Sequence, residues 1–333
     1  MKHVDFETFV QQRQVYDAAV ERTPSVDRFC SSSYWIVPAI ETLFSDHDPW
    51  IRRTEDGSGW VPLARGHHEA IGHYLQPMEA SWGLASPIVG DDPEAVVGAF
   101  VDEVRRANQL PDQAGWDMLF LSGVFEDSPL FEAIIRNFRR NYVVGVGPTM
   151  GRHIASLEGG FDAWLDNRSS KFRRNLRRAR RQADQKGVSF EYHRVAGDDT
   201  AGWSDHLSRI RSLERLSWKG REGSGIATGP MYDFYRKMIP MLAEDGALRV
   251  SYVTLDGVDI AYCFGGILGD LYRGLQLSYH DDYGDLSPGN LAQWAMLKGL
   301  CDEGITTYDM GQSMDYKERW SDREETSVAL VIR

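Results

Sequence analysis

Between Asp309 and Trp320 the sequence DMGQSMDYKERW gathers Asp309, Asp315, Tyr316, Lys317 and Arg319 directly behind a run with strand character, TTYDMGQ. Such groups at a strand end can run a proton-transfer reaction. An amine nucleophile arrives protonated, with a pKa near ~10, so one group must orient it or take its proton and another must protonate what leaves. Asp309 is the carboxylate placed for the first task and Tyr316 can donate to the leaving group. Lys317 can hold a phosphate, a carboxylate or a developing oxyanion. His280, behind the strand LYRGLQLSY, is a second candidate base. An exposed turn with a local ion pair would show the same residues.

A second feature suits an anion. Ser287, Pro288, Gly289, Asn290 and Leu291 open the helical stretch SPGNLAQWAMLKGLCDEG, in which no acid occurs before Asp302. The free N–H groups and dipole of a helix start favour negative charge. Proline suits the first turn, and glycine lets a ligand approach the backbone. An ordinary helix start is the plainer reading. A third feature is the basic stretch from Arg168 to Arg181, with eight Lys or Arg and no acid in a chain of net charge −12. Outside it the charge is −20. Ser169 or Ser170 can cap this helix and Gly187 can end it. Phe172, Leu176, Ala179 and Ala183 share one face, so the helix docks by an apolar stripe.

The elements that must position these groups are read from pattern. At 333 residues, 42% hydrophobic and 26% charged, the chain has the makings of two globular domains. Asp56-Gly57 turns WIRRT into GWVPLA, and Asp256-Gly257 joins a second strand pair. DDPEAVVGAFVDEVRRAN reads as a helix and WDMLFLSGV as a buried strand. Trp203 to Trp218 reads as a helix, followed by a glycine-rich loop, KGREGSGIATG, expected to be mobile. The halves echo one another: TEDGSGWVPLA with TLDGVDIAYCF, and WDMLFL with YDMGQS. A duplicated unit of strands, helix and strand is the expectation.

Several function classes drop out. HHEAIGH lacks the second histidine that zinc-protease spacing requires, and no metal site is expected. GVGPTMG has its third glycine one position late, with Pro148 interrupting, so no dinucleotide turn is expected. There is no P-loop and no G-x-S-x-G element. The N-terminus lacks the apolar core of a secretory signal and no eighteen apolar residues run together, so a cytoplasmic protein without a membrane span is expected. Three scattered cysteines fit reduced thiols. A pI near 5.2 argues against general nucleic-acid binding.

FDAWLDNRSSKFRRNLRRARRQ, LERLSWKG, LDGVDIAY, LSPGNLAQWAMLKGLCDEG and YDMGQSMDYKERW, in that order, resemble a branch of the GNAT acyltransferase superfamily. The branch includes Fem-type transferases and acetyltransferase-like proteins associated with cellulose biosynthesis. The match runs over about residues 155–325. The resemblance implies an α+β chain of two tandem GNAT-like domains, residues 1–150 and 151–333, each a twisted mixed sheet flanked by helices. It implies transfer of an acyl group from acyl-CoA, or another thioester carrier, to an amine of a small molecule or peptide. A Fem-like transfer from aminoacyl-tRNA is the alternative, so a carrier protein or tRNA is a candidate partner. A non-catalytic module binding nucleic acid through residues 168–181 is the reading from another class. In the resemblance Ser287 to Leu291 hold the donor's pyrophosphate, although the usual Q/R-x-x-G-x-G/A loop is absent. Arg173 and Arg177 border the donor groove. Trp218, Lys219, Glu214 and Asp315 line the acceptor pocket.

Overall fold

A computed structural model describes residues 1–109, 115–197 and 202–333. The chain divides into two compact units, residues 1–151 with 326–333, and residues 152–325.

The first unit runs β1 (Lys2–Val4), α1 (Phe6–Gln11), α2 (Arg13–Arg22), α3 (Arg28–Ser31), α4 (Ser33–Thr42), β2 (Asp48–Arg53), β3 (Gly59–His68), β4 (Gly72–Pro77), β5 (Val89–Gly90), α5 (Pro93–Gln109), β6 (Met118–Val124) and α6 (Pro129–Phe138). β7 (Val144–Ser156) leads into the second unit, which continues with α7 (Gly160–Asp166), α8 (Ser170–Gln185), β8 (Ser189–Val195), α9 (Gly202–Glu214), α10 (Trp218–Arg221), α11 (Gly229–Glu244), β9 (Leu248–Leu255), β10 (Val258–Leu268) and β11 (Leu271–Tyr279). A 3-10 helix (Asp281–Leu286), α12 (Pro288–Asp302), β12 (Thr307–Gln312), α13 (Asp315–Glu318) and β13 (Arg323–Ile332) complete it, the end of β13 belonging to the first unit.

One order of elements stands twice. β2, β3 and β4 form an antiparallel meander, α5 follows, and β6 returns parallel to β4. β9, β10 and β11 form a second meander, α12 follows, and β12 returns parallel to β11. Asp-Gly turns both β2–β3 and β9–β10. In the second, Asp256 and Gly257 both take positive φ, 50° and 78°, which a tight two-residue hairpin demands. HHEAIGH lies at the β3–β4 hairpin and GVGPTMG within β7.

Each meander is covered by the helix that follows it. α5 buries Val96, Val97, Phe100, Val101 and Val104 in the first core. α12 is apolar on most sides and packs Leu291, Met296, Leu297 and Leu300 into the second. α8 docks as its spacing predicts: Leu176, Ala179 and Ala183 are buried, and Ser169 caps the helix by accepting from the Phe172 amide. Its end is a left-handed Gly187, with Val188 N–H on the Ala183 carbonyl at 3.0 Å and Gly187 N–H on that of Asp184 at 3.2 Å. The helix expected from Trp203 to Trp218 instead breaks after Glu214, and Ser217 caps the short α10.

The first unit holds a buried carboxyl, Glu79, whose Oε1 accepts from the Trp82 amide at 2.7 Å. Burial pushes its pKa up to about 7, and that hydrogen bond offsets only part of the shift. A carboxyl raised in the folded state contributes stability that is full below its unfolded pKa and is lost as pH rises through about 7. Glu79→Gln is therefore expected to flatten the fall in melting temperature between pH 5 and 8, measured beside the wild type. A variant profile parallel to wild type would show that Glu79 does not titrate there.

Candidate active site

β11 and β12 run side by side for three residue pairs, Leu271 with Thr307, Tyr272 with Tyr308 and Arg273 with Asp309. Beyond that point neither strand bridges the other, although β11 continues to Tyr279 and β12 to Gln312. The cause is local. The β10 register skips from Gln276 to Gly274, leaving Leu275 as an extra residue in β11. The register of β12 on β7 skips between Asp309 and Gln312. A bulge bends the strand that carries it, and two bulges just past the last shared pair part the strands. Gly311 sits in the β12 bulge at φ 76°, where a Cβ would also stand 3.3 Å from the Arg273 guanidinium.

At the closed end of this gap lies Asp309, 0% exposed. Its Oδ2 accepts from Arg152 at 2.6 Å and Arg273 at 2.7 Å, and its Oδ1 accepts from the Gly311 amide at 2.7 Å. Arg152 also reaches Glu325 at 2.6 Å. A carboxylate enclosed by two guanidiniums and an amide, without solvent access, is poorly placed to take a proton from an incoming amine. Its geometry is that of a counter-ion that sets two arginines.

Two lysines bracket the open part. Lys317 donates to the Gln312 carbonyl at 2.7 Å on the β12 side. Lys219 donates to the Leu277 carbonyl at 2.9 Å and to Gln276 Oε1 at 3.3 Å on the β11 side. Burial lowers both pKa values, that of Lys317 to about 8, with Arg273 and Lys219 adding positive charge beside it. The result is an electropositive cleft holding an ammonium that titrates near neutrality. Tyr316 lies beside Lys317 with 42% of its surface exposed and its phenol pKa pushed up to about 12 by burial of its remainder. It remains a donor at any physiological pH.

The turn carrying Lys317 is held from below. Trp320 is buried, stacks on Trp164 at 5.7 Å and meets Phe172 edge-on at 4.9 Å. His153, buried beside Arg152, bonds Ser313 at 3.0 Å and Ser321 at 3.1 Å, so one imidazole ties both ends of the turn. Arg168 joins the Ser321 carbonyl and Asp322.

Lys219 is positioned by the glycine-rich segment after it, which is tethered and not loose. Glu214, 0% exposed, accepts from the Ile226 amide at 3.2 Å and from the Tyr262 hydroxyl at 2.7 Å. Ser224 and Gly225 amides return to the Lys219 carbonyl. A Cβ at Gly220 would strike the Glu214 carbonyl, so only glycine fits. Glu214 thus serves the fold of this segment, and its oxygens do not face a groove. Trp218 is 44% exposed and Asp315 is exposed at the start of α13.

The other expected site residues stand at the far end of β11, on α12 and on α8. His280 follows β11; its Nδ1 accepts from the Asp282 amide at 3.2 Å. With Nδ1 so engaged, only Nε2 is open to a ligand. Ser287 ends the 3-10 helix and begins α12 at φ 54° with no side-chain cap bond, followed by Pro288 at the first helical position. A Cβ at Gly289 would lie 3.2 Å from the Tyr279 ring and 3.3 Å from Leu277. Asn290 is exposed and Leu291 is buried in the core. On α8, Arg173 is tied to Asp166 at 3.3 Å, whereas Arg177 is exposed.

Arg152, Arg273, His153 and Gln276 escaped the sequence reading. One signal was present: Arg273 interrupts the apolar run of LYRGLQLSY, at a strand position where a charge needs a buried partner. Among the described residues no group of three or more His, Cys, Asp or Glu is arranged to hold a metal ion, and no helix is long and apolar enough to cross a membrane.

Residues 170–318 match the acetyltransferase (GNAT) domain family, just under half of the chain. No curated protein matches the sequence. Among solved structures, FemX is similar over 98% of this chain and 97% of its own, at 13% identity and a TM-score of 0.69. A conserved protein of unknown function from Bacteroides thetaiotaomicron is similar over the whole of both chains, at 10% identity and 0.62. L-PGS from Bacillus licheniformis is similar over 96% of this chain and 90% of its own, at 12% identity and 0.55. At these identities the likenesses concern the fold. The matched residues 170–318 span the parted strands and the Lys317 turn and form an acetyltransferase (GNAT) domain, within a chain that shares the fold of FemX.

Proposed function

We propose that the second unit transfers an acyl group from acyl-CoA, or another thioester, to an amine of a small molecule or peptide. The observation that carries this reading is the gap between β11 and β12 with Lys219 and Lys317 anchored on its two sides. The thioester carbonyl sits in the gap, where the ammonium and guanidinium charges favour the oxyanion that forms on attack. The amine first loses its ammonium proton to solvent; its nitrogen then bonds to the carbonyl carbon and the C–S bond breaks. Lys317 gives its proton to the departing thiolate, and the neutral lysine takes the proton shed by the new amide nitrogen. A lysine near 8 suits a thiol, whose pKa is about 8.5. Tyr316, near 12, would be the better match for the alkoxide of an aminoacyl ester. The first unit shares the strand order but has no such cleft chemistry, since Lys2 is the only lysine before residue 171. The start of α12 takes the donor's pyrophosphate, and exposed Trp218 and Asp315 receive the acceptor.

The test is release of free thiol from a panel of acyl-CoAs in the presence of an amine panel, run beside charged tRNA. Amine-dependent thiol release is expected. Consumption of charged tRNA alone would replace the thioester with an ester donor. Gly289→Val should raise the acyl-CoA Kd about tenfold or more, because a charge-assisted hydrogen bond contributes roughly 1.5–3 kcal/mol; the Tyr279 ring must yield to the new side chain, so circular dichroism is recorded to check that the variant folds. A folded variant that binds acyl-CoA as tightly as wild type would place the phosphates elsewhere.

A further inference from the structure

α8 presents two opposite faces. Leu176, Ala179 and Ala183 face the core, and Lys171, Arg174, Arg177, Arg178 and Arg181 are exposed. At 3.6 residues per turn those five fall within roughly a third of the helix circumference, over about 15 Å. The other three basic residues of the stretch are absorbed locally: Arg168 by Asp322, Arg173 by Asp166, and Arg180 by Asp184 and the rings of Phe190 and Trp294. None of the five exposed cations has an ion-pair partner among the described residues. They also form repeated i,i+3 and i,i+4 pairs of like charge, each opposing the helix by a few tenths of a kcal/mol. Folding does not require that cost, since neutral residues would make the same helix.

The stripe is bounded by acids. Asp162 is exposed on α7, whereas Asp166 beside it and Asp184 at the end of α8 are held by Arg173 and Arg180. The 3-10 helix that packs on α8 carries the exposed Asp282 and Asp285, and Asp281, which is paired with Arg221. An RNA stem, charged along its whole length, would run from the stripe into these carboxylates. A compact acidic patch about three helical turns long would meet cations alone. Because the stripe points away from the core, it does not line the gap between β11 and β12. Yet α8 touches both the 3-10 helix and α12, whose first turn is the proposed phosphate site.

We infer that the exposed face of α8 docks the acidic helix of an acyl carrier protein, whose phosphopantetheine arm then enters beside the start of α12. This inference rests on the thioester reading above. The experiment compares acetyl-CoA with an acetylated bacterial acyl carrier protein as donors, and measures carrier binding separately by fluorescence anisotropy across a salt series. Wild type and Arg174→Glu with Arg178→Glu are compared, with Arg174→Gln and Arg178→Gln as a milder pair. The carrier is expected to bind in a salt-sensitive way. The reversal should raise its KM at least tenfold and leave kcat/KM for acetyl-CoA within about twofold. Carrier that neither binds nor donates while acetyl-CoA is consumed would overturn the docking and leave the thioester reading intact. Equal losses for both donors would make the stripe part of the small-donor site and also overturn it. Binding of an RNA hairpin in place of the carrier, lost in the reversed variant, would assign the face to nucleic acid. If neither thioester is consumed the thioester reading fails, and the anisotropy result still decides whether the carrier docks.

Discussion

Lys317→Met is expected to lower kcat by about 10²–10³-fold, the range that removal of a positioned acid or an oxyanion donor produces. The loss should come with a gain in stability. In the wild type, burial, Arg273 and Lys219 disfavour the ammonium and bring its pKa from 10.5 to about 8. A lysine depressed in the folded state opposes folding wherever the unfolded chain binds its proton more tightly. That penalty is full below about pH 8 and disappears as pH rises toward 10.5. At pH 7 the methionine variant should therefore be more stable than wild type, while nearly inactive. The wild-type rate should fall above about pH 8 as the acid is lost, and the methionine variant should lack that limb. A variant with wild-type turnover, or a pH profile that keeps its alkaline limb, would remove Lys317 from the chemistry.

Asp309→Asn should act first on the fold. It leaves Arg152 and Arg273, both buried, without the carboxylate that faces them. Removing one partner of a buried ion pair costs about 3–5 kcal/mol, so a drop in Tm of roughly 6–10 °C is expected. Glu325 still holds Arg152 in the variant. A second consequence separates this role from that of a proton acceptor. The charge of Asp309 raises the Lys317 pKa against the effects that lower it. Its removal should shift the alkaline limb of the rate profile below pH 8. A proton acceptor would instead take the acid limb away. Wild-type stability together with an unmoved alkaline limb would contradict this account.

Much of the second unit was legible because local chemistry specifies it. The Asp-Gly pair at 256–257 needs positive φ in a hairpin, the Ser169 cap and Gly187 stop bound α8, and Pro288 opens α12. Each depends on residues within a few positions of one another, as does the appearance of Asp309 and Lys317 in a single cluster. The roles inside that cluster were decided by neighbours remote in sequence. Arg152 stands 157 residues before Asp309 and Arg273 stands 36 before it. Only the placement of β7, β12 and β11 side by side turns Asp309 from an accessible carboxylate into a buried counter-ion. The segment after Lys219, rich in glycine, suggested mobility because glycine relaxes the backbone. The fold uses the missing Cβ at Gly220 to bring that segment onto the Glu214 carbonyl. The parting of β11 from β12 had no local signature either. A bulge is a mismatch between two strands, and the register that creates it at Leu275 exists only once β10 and β11 are paired. Sequence thus determined the elements and the kinds of group they carry, through periodicity and turn chemistry. Tertiary structure decided which charges are spent on one another and which remain for a substrate, because burial and long-range pairing set both.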